Sequence, residues 1–390
     1  MAEIAIYEVA MLLEFGIRNF YSFKEGVVIS FKLDANCPES ISQGLSFTPV
    51  LCVKGANGSG KTQLLKGLSF LAEFCQRSFS FDPDRPLPIA PFFRSGDPIE
   101  FYAKFSIRGI TYLYELEATK ERVLREVIFK TVSKKTRLLE RVENKIVYRT
   151  AALSKLDAIS LRSNASVIST AHQYGMKELA DVYSVFGAVA SNVNSASGMK
   201  EIPVDMSAMA KALDADPNIF GFVKKFISEC DVGIVDIQIH NYETKEGERV
   251  YFPVFMHNVD GKVYPVVDDE ESSGTKALFR WLALYRVVID VGGILILDEF
   301  DVYLHPHILP KLIGLFLDKS INVNDAQFIF STHNSEALDL LGRYRTYLVN
   351  KNSNASFAYR LDEIPGDVLR NDRPIAPVYN AGKIGGVPRV

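Results

Sequence analysis

The stretch from Pro49 to Thr62, PVLCVKGANGSGKT, constrains this chain more than any other. Val50 to Val53 is a short apolar run, long enough for one buried strand. Gly55 to Thr62 then fills G-x-x-x-x-G-K-[ST] at every fixed position. The following TQLLKGLSFLAEF places Leu64, Leu65, Leu68 and Leu71 at helical spacing. A glycine-rich loop between a strand and a helix is the context in which this pattern makes a phosphate-binding site. Gly55, Gly58 and Gly60, with Asn57 and Ser59 among them, let backbone N–H groups converge on phosphate oxygens. The helix start adds partial positive charge. Lys61 reaches the β- and γ-phosphates, and the Thr62 hydroxyl is a ligand for Mg²⁺. The competing reading is a glycine-rich turn with a surface lysine, and three stretches further along weigh against it.

Asp268 to Gly274 reads DDEESSG, and an amphipathic helix, TKALFRWLALYRVV, follows. Ser273 and Gly274 at that helix start are a second candidate phosphate contact. The alternative is an ordinary acidic loop with a serine cap. Gly293 to Glu299, GILILDE, is a buried strand ending in adjacent carboxylates. Such a pair is costly unless a cation or a proton offsets it. Asp298 would hold Mg²⁺, directly or through water, and Glu299 would act as general base toward an attacking water. Gln327 to Asn334, QFIFSTHN, is another buried strand ending in polar residues. His333 there would bond the γ-phosphate or hold the water.

Between these motifs the pattern changes character. Residues 11 to 33 read as two strands, and 34 to 48 as loop. The prolines between residues 83 and 98 exclude a helix. Ile99 to Ile107 and Ile110 to Ala118 alternate apolar and polar residues as an antiparallel hairpin, which Arg122–Phe129 and Lys145–Arg149 extend. Lys130, Lys134, Lys135, Arg137, Arg141 and Lys145 form a basic strip, read as a solvated hairpin edge or as a contact for an acidic partner. From 151 to 230 the spacing is helical, divided at Asp216-Pro217. VGIVDIQIH, VYFPVFMH and KVYPVV read as strands, TYLVN and SFAYRL as edge strands, and 381 to 390 as coil. His172, His240 and His257 are scattered and read as packing or surface residues.

At 390 residues, with 47% hydrophobic and 23% charged residues, the composition is globular. A net charge of −3 gives no global basic field for nucleic acid. The four cysteines are widely spaced, form no metal pattern and fit a reduced cytoplasmic setting. No apolar run approaches the roughly 20 residues that span a bilayer. MAEIAIYEVAMLLEF lacks the basic start of a signal peptide. A cytoplasmic location without membrane contact is expected.

In this order the motifs resemble the ABC-type ATPase head: GANGSGKT as Walker A, ESSGTKAL as the signature loop, ILILDE as Walker B and FSTHN as the switch-histidine loop. IRNFYSF and DEFDVYLHP are closer to the SMC/OLD-like branch than to transporters. The length and the closing GKIGGVP resemble small bacterial ATP-binding proteins of the AAA_15/AAA_21 type, among them the ATPase components of anti-phage defence systems such as PARIS. The resemblance implies an α/β fold, with a mixed central sheet, helices, an antiparallel β subdomain and a mostly helical insertion. It divides the chain into 1–130, 131–231 and 232–390. It implies ATP and Mg²⁺ as cofactors and an ATP-hydrolysing switch. Subunits would join as a dimer or higher homo-oligomer, with Ser273 and Gly274 of one closing on ATP held by another. The partner would be a separate effector, a nuclease by family habit, since residues 334 to 390 are too few for an appended one. The trigger would be a phage protein or nucleic acid. Two other classes stay open: an ATP-bound scaffold or sensor with negligible turnover, and a DNA-repair ATPase acting on DNA ends. The signature reads SSGT rather than LSGGQ. His305 stands where many relatives carry the D-loop aspartate. Gln76 is the nearest glutamine for a Q-loop.

Overall fold

The computed structural model describes residues 10–194, 198–199, 206–301, 304–366, 368–370 and 372–387. The expectations for the first nine residues, for 302–303 within DEFDVYLHP and for 388–390 of the terminal coil lie outside them.

The chain opens with β1 (Ala10–Arg18) and β2 (Val27–Ser30), then a single turn, α1 (Glu39–Ser42), inside the stretch read as loop. β3 (Val50–Lys54) leads through the glycine loop into α2 (Lys61–Arg77), which ends before Pro83, where the proline-rich stretch begins. A meander follows: β4 (Ile99–Ile107), β5 (Ile110–Ala118), β6 (Val123–Thr131), β7 (Lys135–Val142) and β8 (Lys145–Arg149). After α3 (Val167–Gln173) and α4 (Ala180–Gly187) come the short β9 (Val189–Ser191), β10 (Val193–Asn194) and β11 (Gly198–Met199). Asp216 separates α5 (Met206–Ala215) from α6 (Pro217–Cys230). Its side chain accepts from the Asn218 and Ile219 amides, which satisfies two orphan donors of α6. β12 (Ile234–Glu243), β13 (Arg249–Val259) and β14 (Lys262–Val267) form a small antiparallel sheet ahead of α7 (Ser273–Val291). The rest alternates as β15 (Ile294–Leu297), α8 (Leu309–Leu317), β16 (Gln327–Ser331), α9 (Glu336–Leu341), β17 (Thr346–Asn352), β18 (Ala355–Arg360) and α10 (Ala376–Asn380).

The central sheet has the order β18-β17-β3-β16-β15-β9, parallel except for β18. Its inner strands are mainly apolar, with polar residues at their ends, because both faces are covered. On β3, Leu51 and Val53 face one core, while Val50 and Cys52 face another. Ile294 and Ile296 of β15 join the first core, and Leu295 and Leu297 the second. α2 and the seven-stranded antiparallel sheet β2-β1-β4-β5-β6-β7-β8 build the first core. α6, α7 and α8 build the second. This places β3, β15 and β16 side by side in the middle layer, with the ends that carry the motifs in register: Val53 pairs with Ser331, and Leu297 with Phe330.

Three expectations change. Residues 131–231 are not one helical unit. β7 and β8 are hydrogen-bonded extensions of the seven-stranded sheet, β9 belongs to the central sheet, and helices begin only past residue 150. A boundary at 131 therefore falls between paired strands. β17 is not an edge: it lies between β3 and β18, and of these two strands only β18 ends the sheet. Arg141 does not belong to the basic strip. It is fully buried opposite Glu126, 3.3 Å away, because the hairpin register points it inward. No described helix is long and apolar enough to cross a membrane.

Candidate nucleotide-binding site

The glycine loop leaves β3 at its carboxyl end and enters α2 through Gly60. That residue adopts φ 115°. A Cβ at Gly60 would stand 2.8 Å from Ser356 Oγ and 3.0 Å from Ser22 Oγ, so the walls of the loop are in place on both sides. A Cβ at Gly55 would meet the Val349 carbonyl at 2.3 Å. Ser356 Oγ donates to the Ser59 carbonyl at 2.6 Å, and the Ser22 amide donates to Gln63 Oε1 at 3.2 Å. Asn57 and Gly58 form the exposed tip. Lys61 is buried at the first position of α2, and its Nζ donates to the carbonyls of Gly55 (2.9 Å) and Ala56 (3.2 Å). Burial pushes its ammonium below the ordinary lysine range, while Asp298 and Glu299 pull it back.

Asp298 directly follows β15 in a buried position. Thr62 Oγ1 donates to its Oδ2 at 2.5 Å, and Ser331 Oγ, from the end of β16, donates to its Oδ1. Asn192 clamps its backbone: Asn192 Nδ2 donates to the Asp298 carbonyl at 2.9 Å, and the Asp298 amide donates to Asn192 Oδ1 at 2.7 Å. The chain then turns sharply, with Glu299 at φ 49° in the left-handed region and its amide donating to Ser331 Oγ at 2.9 Å. That turn brings the Glu299 carboxylate out of the core, 3.4 Å from His333 Nε2, with both side chains reaching solvent. Lys61, Thr62, Asp298, Glu299 and His333, expected as one site from three separate motifs, thus gather around the ends of three neighbouring strands.

Ser273 and Gly274 are held elsewhere. Ser272, not Ser273, is the cap of α7, its Oγ accepting from the Thr275 amide at 3.1 Å. Behind it, the Ser272 amide donates to Glu271 Oε1 at 2.6 Å, and Glu271 Oε2 lies 2.7 Å from His257 Nε2. Thr275 Oγ1 donates to Asp231 Oδ2 at 3.4 Å. Among the described residues, none of these bonds reaches the glycine loop. Gln76 packs against α4, with Nε2 donating to the Tyr183 carbonyl. Asn192 and Ser331 are the site residues that motif reading missed. Ser331 was visible only as the last residue of an apolar run, and Asn192 carried no local signal at all.

The residues fit a triphosphate with Mg²⁺. Ser59 Oγ is buried with no hydrogen-bond partner among the described residues. The close walls at Gly55 and Gly60 reserve a cradle for backbone donors. No group of three or more His, Cys, Asp or Glu side chains gathers for a metal among the described residues. Thr62 and Asp298 instead offer one hydroxyl and one carboxylate, the sparse protein donor set with which Mg²⁺ is held beside phosphates.

A strand–glycine loop–helix unit, with a carboxylate-ended strand against its threonine, defines a P-loop domain of the ATPase class. The chain belongs to the AAA_21 family, described as "AAA domain, putative AbiEii toxin, Type IV TA system", whose model matches residues 50–339. No curated protein sequence matches it. Among solved structures, it is similar to the SMC head domain from Thermotoga maritima, with 15% identity, TM-score 0.44, and coverage of 90% of this chain and 98% of that one. An SMC head bound to the C-winged helix domain of ScpA gives 13% identity and TM-score 0.49, covering 90% and 99%. An SMC head with coiled coil and joint from Pyrococcus yayanosii gives 10% and 0.47, covering 95% and 99%.

Proposed function

We propose that this chain hydrolyses ATP to ADP and phosphate and uses the cycle as a switch. The observation that carries this reading is the junction of Thr62 with Asp298 beside the solvent-reaching Glu299–His333 pair. The loop amides and Lys61 bind and orient the phosphates; Lys61 exchanges its loop carbonyls for phosphate oxygens. Thr62 and Asp298 would hold Mg²⁺, which would supply positive charge against the negative charge of the phosphates. Glu299 accepts the proton of a water as its oxygen bonds to the γ-phosphorus, and the bond to the ADP oxygen breaks. His333, beside that carboxylate, holds the water or the γ-phosphate in line.

Ser273 and Gly274 sit at an exposed helix start away from their own glycine loop, which supports a role across a subunit interface. In that arrangement ATP joins two copies, and hydrolysis parts them. The output is control of a separate effector, a nuclease in a bacterial anti-phage setting, by analogy with the family.

Turnover and particle mass, with and without ATP, test this for the wild type and Glu299→Gln. The wild type is expected to hydrolyse ATP. The variant should lose at least about 10²-fold in rate, the contribution of a general base, yet bind ATP and remain assembled. If both are equally inactive and neither changes mass with ATP, the switch reading is wrong.

A further inference from the structure

Lys54 is the last residue of β3, directly before Gly55, and only 2% exposed. A lysine this buried is unfavourable unless its charge finds partners. The partners come from places far apart in sequence. Nζ donates to the His333 carbonyl at 2.9 Å. It also lies over the Tyr379 ring, 5.0 Å from the centroid. The Asp301 carboxylate attracts it as well. The hydrogen bond falls at a place regular structure leaves bare: β16 ends at Ser331 and α9 begins at Glu336, so the His333 carbonyl belongs to neither. The same turn is tied by Thr332 Oγ1, which donates to Asp301 Oδ2 at 2.5 Å and accepts from the Asn334 amide at 2.9 Å. Tyr379 is fixed in turn, its hydroxyl donating to the Gly386 carbonyl at 2.7 Å.

We infer that Lys54 is a positioning residue for the proposed hydrolysis: its ammonium anchors the turn that carries His333, so that the imidazole faces Glu299, and Tyr379 of the carboxyl-terminal segment sets where that ammonium sits. A lysine suits the task because its compact head can turn a donor toward one carbonyl within a tight space, where the planar fork of arginine cannot. The inference makes α10 part of the geometry of a site it never touches. It rests on the hydrolytic reading above.

The test compares wild type, Lys54→Met, Tyr379→Leu and His333→Ala in the full chain. Four quantities are read: affinity for trinitrophenyl-ATP, turnover at saturating ATP, melting temperature, and amide hydrogen exchange. Lys54→Met should bind the nucleotide within about threefold of wild type while turnover falls at least about tenfold, since a displacement of 1 Å can cost roughly 10²-fold. Exchange should quicken over residues 332–336 and not over 55–62. Lys54→Met combined with His333→Ala should be no slower than His333→Ala alone, because the lysine acts through the histidine. Tyr379→Leu, which leaves the lysine in place, should shift the same quantities less, and it decides the matter if Lys54→Met does not fold. The inference is overturned if affinity, melting temperature and turnover fall together, or if exchange over 332–336 is unchanged. If the wild type itself does not hydrolyse ATP, the proposed function falls, and the exchange measurement still decides whether Lys54 anchors the turn.

Discussion

Gly60 shows how little room the glycine loop leaves. Its φ of 115° is open to glycine and strained for any other residue, and a methyl group there would press on Ser356 Oγ and Ser22 Oγ. Gly60→Ala is expected to weaken ATP binding at least about tenfold and to destabilise the fold by about 1–3 kcal/mol, the range for a residue forced into a sparse backbone region. Nucleotide titration and thermal melting check both. The identity of this residue was legible because the loop is a local device, with every fixed position inside eight residues. Asn192 was not legible, since its partner Asp298 is 106 positions away and two ladder-like bonds to a backbone leave no pattern in the chain. Arg141 was misread for a related reason. The basic residues nearest it in sequence, Arg137 and Lys145, are exposed, whereas its neighbour in space is Glu126, reached only once the β6–β7 register is known. That buried carboxylate also accepts from Tyr114, Ser166 and the Val167 amide, so both charges are compensated without water.

At the level of elements, the alternation of β4 and β5 was readable because each buries one face, and α2 was readable from its leucine spacing although it is buried on nearly every side. The outer face of the meander carries a ladder of charges instead. Arg125 reaches Glu115, Glu117 and Glu140, and Arg137 also pairs with Glu140. Burial alone would raise the Glu140 carboxyl, but the two guanidiniums outweigh it and hold Glu140 below the ordinary carboxylate range. A carboxyl whose folded value is depressed contributes stability above its unfolded value of about 4.3 and loses it as pH falls through the folded value. The urea midpoint is therefore expected to drop between about pH 5 and pH 3, and Glu140→Gln should flatten that drop while lowering the midpoint at neutral pH. Equal slopes for the two proteins would show that the ladder is idle. The short β9 had no such readable face. Three residues hidden after a helical stretch gain their strand identity only from pairing with β15.

For the molecule as a whole, the placement of Ser273 and Gly274 away from their own glycine loop leads to a complementation test. Lys61→Ala and Ser273→Arg should each be inactive alone. Mixed in equal amounts, they should regain up to about a quarter of wild-type turnover, because each mixed two-fold dimer holds one composite site with both parts intact. No recovery on mixing would mean that each chain completes its own site. The class of chemistry was already present in the order of motifs, since phosphate cradles and strand-end carboxylates are short-range and tolerate few substitutes. Apolar runs likewise announced buried strands, because strands covered on both faces hold mainly apolar residues. The rest depended on folding. Which strands lie side by side, which charge turns inward at Arg141, and which residues brace Asp298 and His333 are set by pairings that run from 15 positions apart, at Arg141 and Glu126, to 279, at Lys54 and His333. Side chains there answer to neighbours in space, and a linear chain records such neighbours only weakly.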